Sequence, residues 1–168
     1  MTTLAGKTLL FLACFWIGLD RTRRRRERTA WLRAFRQAVA DLGRELTFSF
    51  SPVDGLLAGA EEKSGPAAAF FQACRSFFRE SGGESWADSW NSALETVSLP
   101  IREEDRVLLA RAGEIIGRWD GETQQRALAE LLSRLDEIIF DGTEEEKRLF
   151  RVDLALGVTA GLFCVLLL

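Results

Sequence analysis

Hydrophobic and polar positions follow helical spacing through most of the chain. Apolar residues recur at i, i+3, i+4 and i+7, which is the spacing of one helix face, and no segment alternates as a strand does. Six such stripes cover approximately Trp31–Phe50, Pro52–Glu62, Phe70–Phe78, Trp86–Val97, Ile101–Trp119 and Leu128–Ile139. Six helices that each have one apolar face predict an all-α fold, a compact six-helix bundle.

Glycine, proline and capping residues separate the stripes. Ser51 is predicted to cap the second helix, with Pro52 at its first helical position. Asp141-Gly142 is predicted to interrupt the chain after the sixth helix, and Thr143–Glu146 to cap a final helix. The other breaks are expected at Ser64–Pro66, Ser81–Gly83, Pro100 and Asp120-Gly121.

The two ends of the chain are far more apolar than the middle. Met1–Leu19 contains one charged residue, Lys7, and Leu154–Leu168 contains none. Lengths near 20 residues are those of membrane spans, and no small-residue cleavage site follows the first segment, so a signal peptide is not indicated. A buried core helix is the alternative for either end. We predict a transmembrane helix over 1–20, a helical domain over 21–150 and a second transmembrane helix over 151–168.

Arginine is concentrated immediately after the first apolar segment. Asp20–Arg36 contains eight arginines and two acidic residues. Such a cluster beside a membrane span stays on the cytoplasmic side. It predicts that the chain is anchored in the cell membrane and that its middle domain lies in the cytosol. Binding to nucleic acid is the alternative, but Gln37–Arg151 contains 13 basic and 22 acidic residues, a balance that repels nucleic acid.

The residues needed for common enzyme chemistry are absent. The chain has no histidine, which excludes serine–histidine and cysteine–histidine nucleophile pairs and histidine-containing zinc sites. Its three cysteines are far apart in sequence, and no glycine-rich phosphate loop is present. Carboxylate clusters fall near predicted helix ends, where acidic side chains favour the helix dipole. We therefore expect no enzyme activity, no cofactor, no metal ion and no small-molecule substrate.

One segment, Leu109–Gln125, is not explained by core packing or solvation alone. Gly113 and Gly117 are four residues apart, and glycines on one helix face allow close helix packing. Gly157 and Gly161 have the same spacing in the second apolar segment. A helix-to-helix corner follows Gly117, and its polar residues are either a structural turn or a partner-docking site: Arg118, Asp120, Gln124 and Gln125.

The order and spacing of several motifs resemble those of the stage III sporulation protein AB family. The resemblance covers essentially the whole chain, and its most specific motif is a glycine, a polar corner with an acidic residue, and paired glutamines. The similar segments are Trp16–Leu19 with the arginine-rich stretch to Arg28, Ala40–Leu46 with Ser51-Pro52, Trp86–Leu94, Glu114–Gln125, and Leu156–Gly161 with the apolar terminus.

That resemblance implies a structural subunit of the channel complex between mother cell and forespore. It also implies a soluble domain similar to the cytoplasmic domains of type II secretion and type IV pilus platform proteins. The expected partners are a cytosolic secretion-type ATPase, stage III sporulation protein AA, and other membrane subunits of the complex. The expected location is the mother-cell membrane around the forespore.

Three other functions remain open at this point. The chain can be a platform or adaptor subunit of another type II or pilus-like machine. Such platform proteins usually contain repeated domains, and this chain has no internal repeat. It can be a small regulatory membrane adaptor. A membrane-anchored enzyme is the third possibility, but it needs a nucleophile–base pair or metal cluster that the sequence lacks.

Overall fold

The computed structural model describes residues 2–48, 52–83, 85–117 and 121–166, and describes side-chain surroundings for 23–46, 52–83, 85–117, 122–149, Val152 and Thr159. The described residues form α-helices and no strands, which confirms the predicted all-α class. The six helices are α1 (Thr2–Phe48), α2 (Val53–Lys63), α3 (Ala68–Glu80), α4 (Trp86–Thr96), α5 (Glu103–Ile116) and α6 (Gly121–Leu166). A short 3-10 helix, Gly65–Ala67, joins α2 to α3.

The chain divides into two units. Ala30–Ile139 forms the first unit, and the second combines Met1–Thr29 with Phe140–Leu168. The helices α1 and α6 each contribute residues to both units.

The core of the unit Ala30–Ile139 is rich in aromatic rings. Phe35, Phe70, Phe71 and Trp90 are all almost completely buried. Their closest pair, Phe70 and Trp90, has ring centroids 4.9 Å apart in an edge-to-face arrangement, the favoured geometry for aromatic pairs. These are the apolar positions that helical spacing predicts for α1, α3 and α4, and the structure places them in the core.

The start of α2 differs by one residue from the prediction. Pro52 is the N-cap residue, with extended backbone angles, and α2 begins at Val53. The carbonyl of Pro52 accepts hydrogen bonds from the amides of Gly55 and Leu56 at 2.9 and 3.2 Å, which gives it the backbone role of a cap. The other predicted cap, Ser51, lies outside the described residues.

The predicted break at Asp141-Gly142 is wrong, because α6 runs without interruption from Gly121 to Leu166. A Cβ added to Gly142 would lie 3.2 Å from Oγ1 of Thr29 on α1, so the glycine allows close approach of the two helices. Thr143–Glu146 is therefore helix interior and not a cap. Glu144 in this stretch forms an ion pair with Lys147, 2.9 Å away on the helix surface.

Within the two predicted transmembrane segments, the backbone of residues 2–20 and 151–166 is helical, but nearly all the side chains there lie outside the described residues. No helix among the described residues is both long enough and apolar enough to cross a membrane. The spans at 1–20 and 151–168 stay predictions.

Candidate functional site

The polar corner lies between the end of α5 and the start of α6. Nε2 of Gln124, in the first turn of α6, donates a hydrogen bond to the carbonyl oxygen of Ile116, 3.1 Å away at the end of α5. Terminal helix carbonyls lack partners within their own helix, so this amide satisfies one of them and links the two helices. Gln125 is exposed to solvent. Arg118 and Asp120 lie outside the described residues.

Two tryptophans of α4 pack against the glycine face of α5. A Cβ added to Gly113 would lie 2.4 Å from Cδ1 of Trp90, and one added to Gly117 would lie 2.8 Å from Cδ1 of Trp86. Both distances are shorter than any real Cβ contact, so the indoles occupy space that only glycine leaves open. Gly157 and Gly161 lie in the part of α6 whose surroundings are not described.

Each indole also makes a hydrogen bond to the backbone of α5. Nε1 of Trp86 donates to the carbonyl oxygen of Gly113 at 2.9 Å, and Nε1 of Trp90 donates to that of Leu109 at 2.8 Å. A buried indole N–H needs an acceptor, and the bare glycine surface brings the carbonyls within reach. The final turns of α5 are thus held firmly against α4, just before the corner begins.

The acidic cluster at the start of α5 has a structural role. Asp105 is 1% exposed, and its Oδ2 accepts a hydrogen bond from the backbone amide of Arg102 at 2.8 Å. Glu103, Glu104 and Asp105 all lie in the first turn of α5, where acidic residues stabilise the positive end of the helix dipole. Among the described residues no group of acidic or cysteine side chains is arranged to hold a metal ion.

An ion-pair cluster joins α2 to α3 and was not expected from the sequence. The carboxylate of Asp54 accepts two hydrogen bonds from each of two guanidinium groups, at 2.6 and 2.8 Å from Arg79 and at 3.1 and 3.2 Å from Arg75. Hydrogen bonds from Arg79 and then Arg75 hold the pKa of Asp54 well below its usual range, so this carboxyl stays ionised near neutral pH. Arg75 also reaches Glu61, 3.3 Å away. In the sequence, the four-residue spacing of Arg75 and Arg79 is the feature that indicates this cluster, because it places both arginines on one face of α3.

The cysteine in the middle of the chain is unreactive. Cys74 is buried in the core, and its burial raises the pKa of the thiol far above its usual range. A thiol that stays protonated is a poor nucleophile and a poor metal ligand, so Cys74 acts as a small apolar side chain.

Comparisons with known proteins agree with the resemblance in the sequence. Residues 3–168 match the family model described as stage III sporulation protein AB. The stage III sporulation protein AB of Bacillus subtilis (strain 168) is 25% identical over 171 residues, which cover 100% of this chain and 99% of that protein. A solved structure of a stage III sporulation protein AB covers 73% of this chain and 98% of its own, with a TM-score of 0.66 and 22% identity. That structural likeness shows the helical fold.

Proposed function

We propose that this chain, which belongs to the stage III sporulation protein AB family of sporulation complex subunits, acts as a structural membrane platform. The complex in which it acts is the channel complex between mother cell and forespore. The observation that supports this most strongly is the family match over residues 3–168, which includes both apolar ends as well as the helical domain. A platform role needs surfaces for other proteins and no reaction centre. That agrees with the structural roles of Asp105, Cys74 and the Asp54 cluster.

We place the chain in the mother-cell membrane, with 1–20 and 151–168 as spans. Apolar length and the arginine cluster support this topology. Arg23 forms an ion pair with Glu27 on the surface of α1, while Arg24 and Arg26 are also exposed, so this stretch presents positive charge to its surroundings. Exposed arginines immediately after a span are attracted to the surface of the cytoplasmic leaflet, because that surface is negatively charged.

The proposed partner of the helical domain is a cytosolic secretion-type ATPase, stage III sporulation protein AA. The corner formed by Arg118, Asp120, Gln124 and Gln125 is the proposed docking element. Its support is positional: the Trp86 and Gln124 hydrogen bonds hold the helix ends on either side of residues 118–120. Side chains that lie beside fixed helix ends can bind a partner at little cost in conformational entropy. Other membrane subunits of the complex would contact the two spans.

Charge reversal at Asp120 tests this docking role. We expect Asp120→Arg to weaken ATPase binding by at least about tenfold, because a like charge at a docking contact costs on the order of 1 kcal/mol or more. Full-length chain in nanodiscs would be immobilised, and purified ATPase titrated over it by biolayer interferometry. Glu130→Arg, the same charge change at an exposed position of α6, is the matched control and should bind normally.

A second variant separates docking from folding. Gln125 is exposed, so Gln125→Arg should leave the helical content unchanged by circular dichroism and still weaken ATPase binding. Wild-type affinity in both Asp120→Arg and Gln125→Arg would contradict a docking corner. Loss of helical content in Asp120→Arg, with normal binding by Gln125→Arg, would assign the corner a structural role only.

A further inference from the structure

A groove with a volume of about 200 Å³ lies between α1 and α2 within the unit Ala30–Ile139. Its apolar lining combines small residues with two leucines: Ala34, Ala38, Leu42, Leu56, Gly59 and Ala60. The groove is too small for a folded domain and has room for one or two side chains. A surface of this kind suits the apolar face of a helix, whose side chains recur at helical spacing.

One buried polar group in the groove has no partner. Ser64 is only 4% exposed and lines the groove, and its hydroxyl has no hydrogen-bond partner among the described residues. Its backbone is satisfied, since the amide donates to the carbonyl of Ala60 at 3.0 Å and the carbonyl accepts from Ala67 at 3.0 Å. An unsatisfied buried hydroxyl is unfavourable, so this end of the groove is less well packed by its own chain than the core is.

The open space in the groove is created by Gly59, in the interior of α2. A Cβ added to Gly59 would meet no atom within 4 Å, in contrast to Gly113. Glycine weakens a helix relative to alanine, and here packing within the chain does not require it. Leaving room for something outside the domain is a physical reason for glycine at this position.

The rim of the groove has one unpaired charge of each sign. Glu45 on α1 and Lys63 on α2 form no ion pair among the described residues. Asp41, also on the rim, is already occupied by hydrogen bonds from Arg44 and Gln37. The complementary ligand therefore has an apolar centre with one basic and one acidic group beside it.

We propose that this groove binds an amphipathic helix of a partner protein. An aliphatic residue of that helix enters the space beside Gly59, a basic residue pairs with Glu45, and an acidic residue pairs with Lys63. The proposal rests on the proposed function only in taking the domain to bind another protein. None of the residues that line the groove belongs to the corner at residues 118–125.

Model peptides test the groove directly. The probe is a fluorescent helical peptide of roughly 14 residues with a leucine stripe, one lysine and one glutamate beside it. Of two otherwise identical peptides, one has lysine on both sides of the leucine stripe and the other has glutamate on both sides. Fluorescence anisotropy with full-length chain in dodecyl maltoside micelles should give the tightest binding for the peptide with one lysine and one glutamate, the mixed peptide. Absence of saturable binding by all three peptides would overturn the proposal.

Filling the groove should abolish that binding. Gly59→Met places a long side chain in the open space and should weaken the mixed peptide by at least about tenfold. Gly55→Met is the matched control, because Gly55 lies on the same helix, is exposed and does not line the groove. Equal weakening by both variants, or by neither, would contradict a site at Gly59.

Charge changes at the rim should alter which peptide binds best. Glu45→Lys should favour the peptide with two glutamates, and Lys63→Glu the peptide with two lysines. The same order of affinities in all three chains would overturn the predicted pairing. A chain dimer in sedimentation velocity that Gly59→Met dissociates would make a second copy the occupant, and would also overturn the proposal. ATPase binding by the Asp120→Arg chain is measured separately, so each proposal can fail alone.

Discussion

Replacing Trp90 with alanine should destabilise the helical domain by about 3–5 kcal/mol, the usual cost of removing a large buried aromatic side chain. Trp90 is 1% exposed, lies within 6.1 Å of the ring centroids of Phe35, Phe70, Phe71 and Trp86, and donates its indole N–H to the carbonyl of Leu109. Single domains have total stabilities of roughly 5–15 kcal/mol, so this one change removes a large share. Urea unfolding of the full-length chain in detergent micelles, followed by circular dichroism, measures the loss.

Two further variants show which part of Trp90 contributes. Trp90→Phe keeps a ring in the core but removes the N–H, and should cost about 1–3 kcal/mol. Trp86→Ala should cost less than Trp90→Ala, because Trp86 is only half-buried although it makes the same kind of hydrogen bond. A Trp90→Ala chain as stable as Trp86→Ala would show that the aromatic cluster is not the centre of the core.

Identical glycine-to-alanine changes at Gly113 and Gly59 should have opposite effects on stability. The added methyl at Gly113 would lie 2.4 Å from the ring of Trp90, which the surrounding core prevents from moving away. Overpacking of this kind costs about 1–3 kcal/mol. At Gly59 the methyl meets open space, and the better helix propensity of alanine should stabilise the chain by up to about 1 kcal/mol.

The same urea titration measures both glycine variants. Since the two substitutions are chemically identical and both lie inside helices, the difference between them isolates the contact with Trp90. Stabilisation by Gly113→Ala would contradict the close packing of α4 on α5.

The helices could be predicted because their apolar faces are local features of the sequence. Phe70, Phe71 and Cys74 recur at helical spacing, and all three are buried on α3. Ser81–Gly83 was expected to end that helix, and Gly82 and Gly83 have positive φ angles of 69° and 82°, which glycine adopts without strain.

Errors arose where a tertiary contact changes the meaning of a local signal. Asp141-Gly142 is a typical helix break by composition, but Gly142 lies against Thr29, a residue more than a hundred positions away. The helix therefore continues, and its glycine serves packing rather than termination. A single sequence does not reveal which of these two roles a glycine has.

The two surface features of α2 were missed for the same reason. Asp54 pairs with Arg75 and Arg79 across two helices, and the groove depends on Ser64 and Gly59 facing α1. Each residue alone fits an ordinary position: an acidic residue in a first turn, a serine at a helix end, or a glycine in a helix. Only their arrangement in space distinguishes them.

Cysteine labelling in intact protoplasts tests the proposed topology, in which a membrane-anchored sporulation subunit has its helical domain in the cytosol. Ser98→Cys introduces a thiol at an exposed position between α4 and α5, after Cys14 and Cys164 are changed to alanine. Cys74 can stay, because it is buried and unreactive, and the chain without Ser98→Cys is the blank. We expect an impermeant maleimide to label the membrane-associated chain only after lysis. Labelling of intact protoplasts would place the domain outside the cytosol, beyond the reach of a cytosolic ATPase, and would contradict the proposed topology.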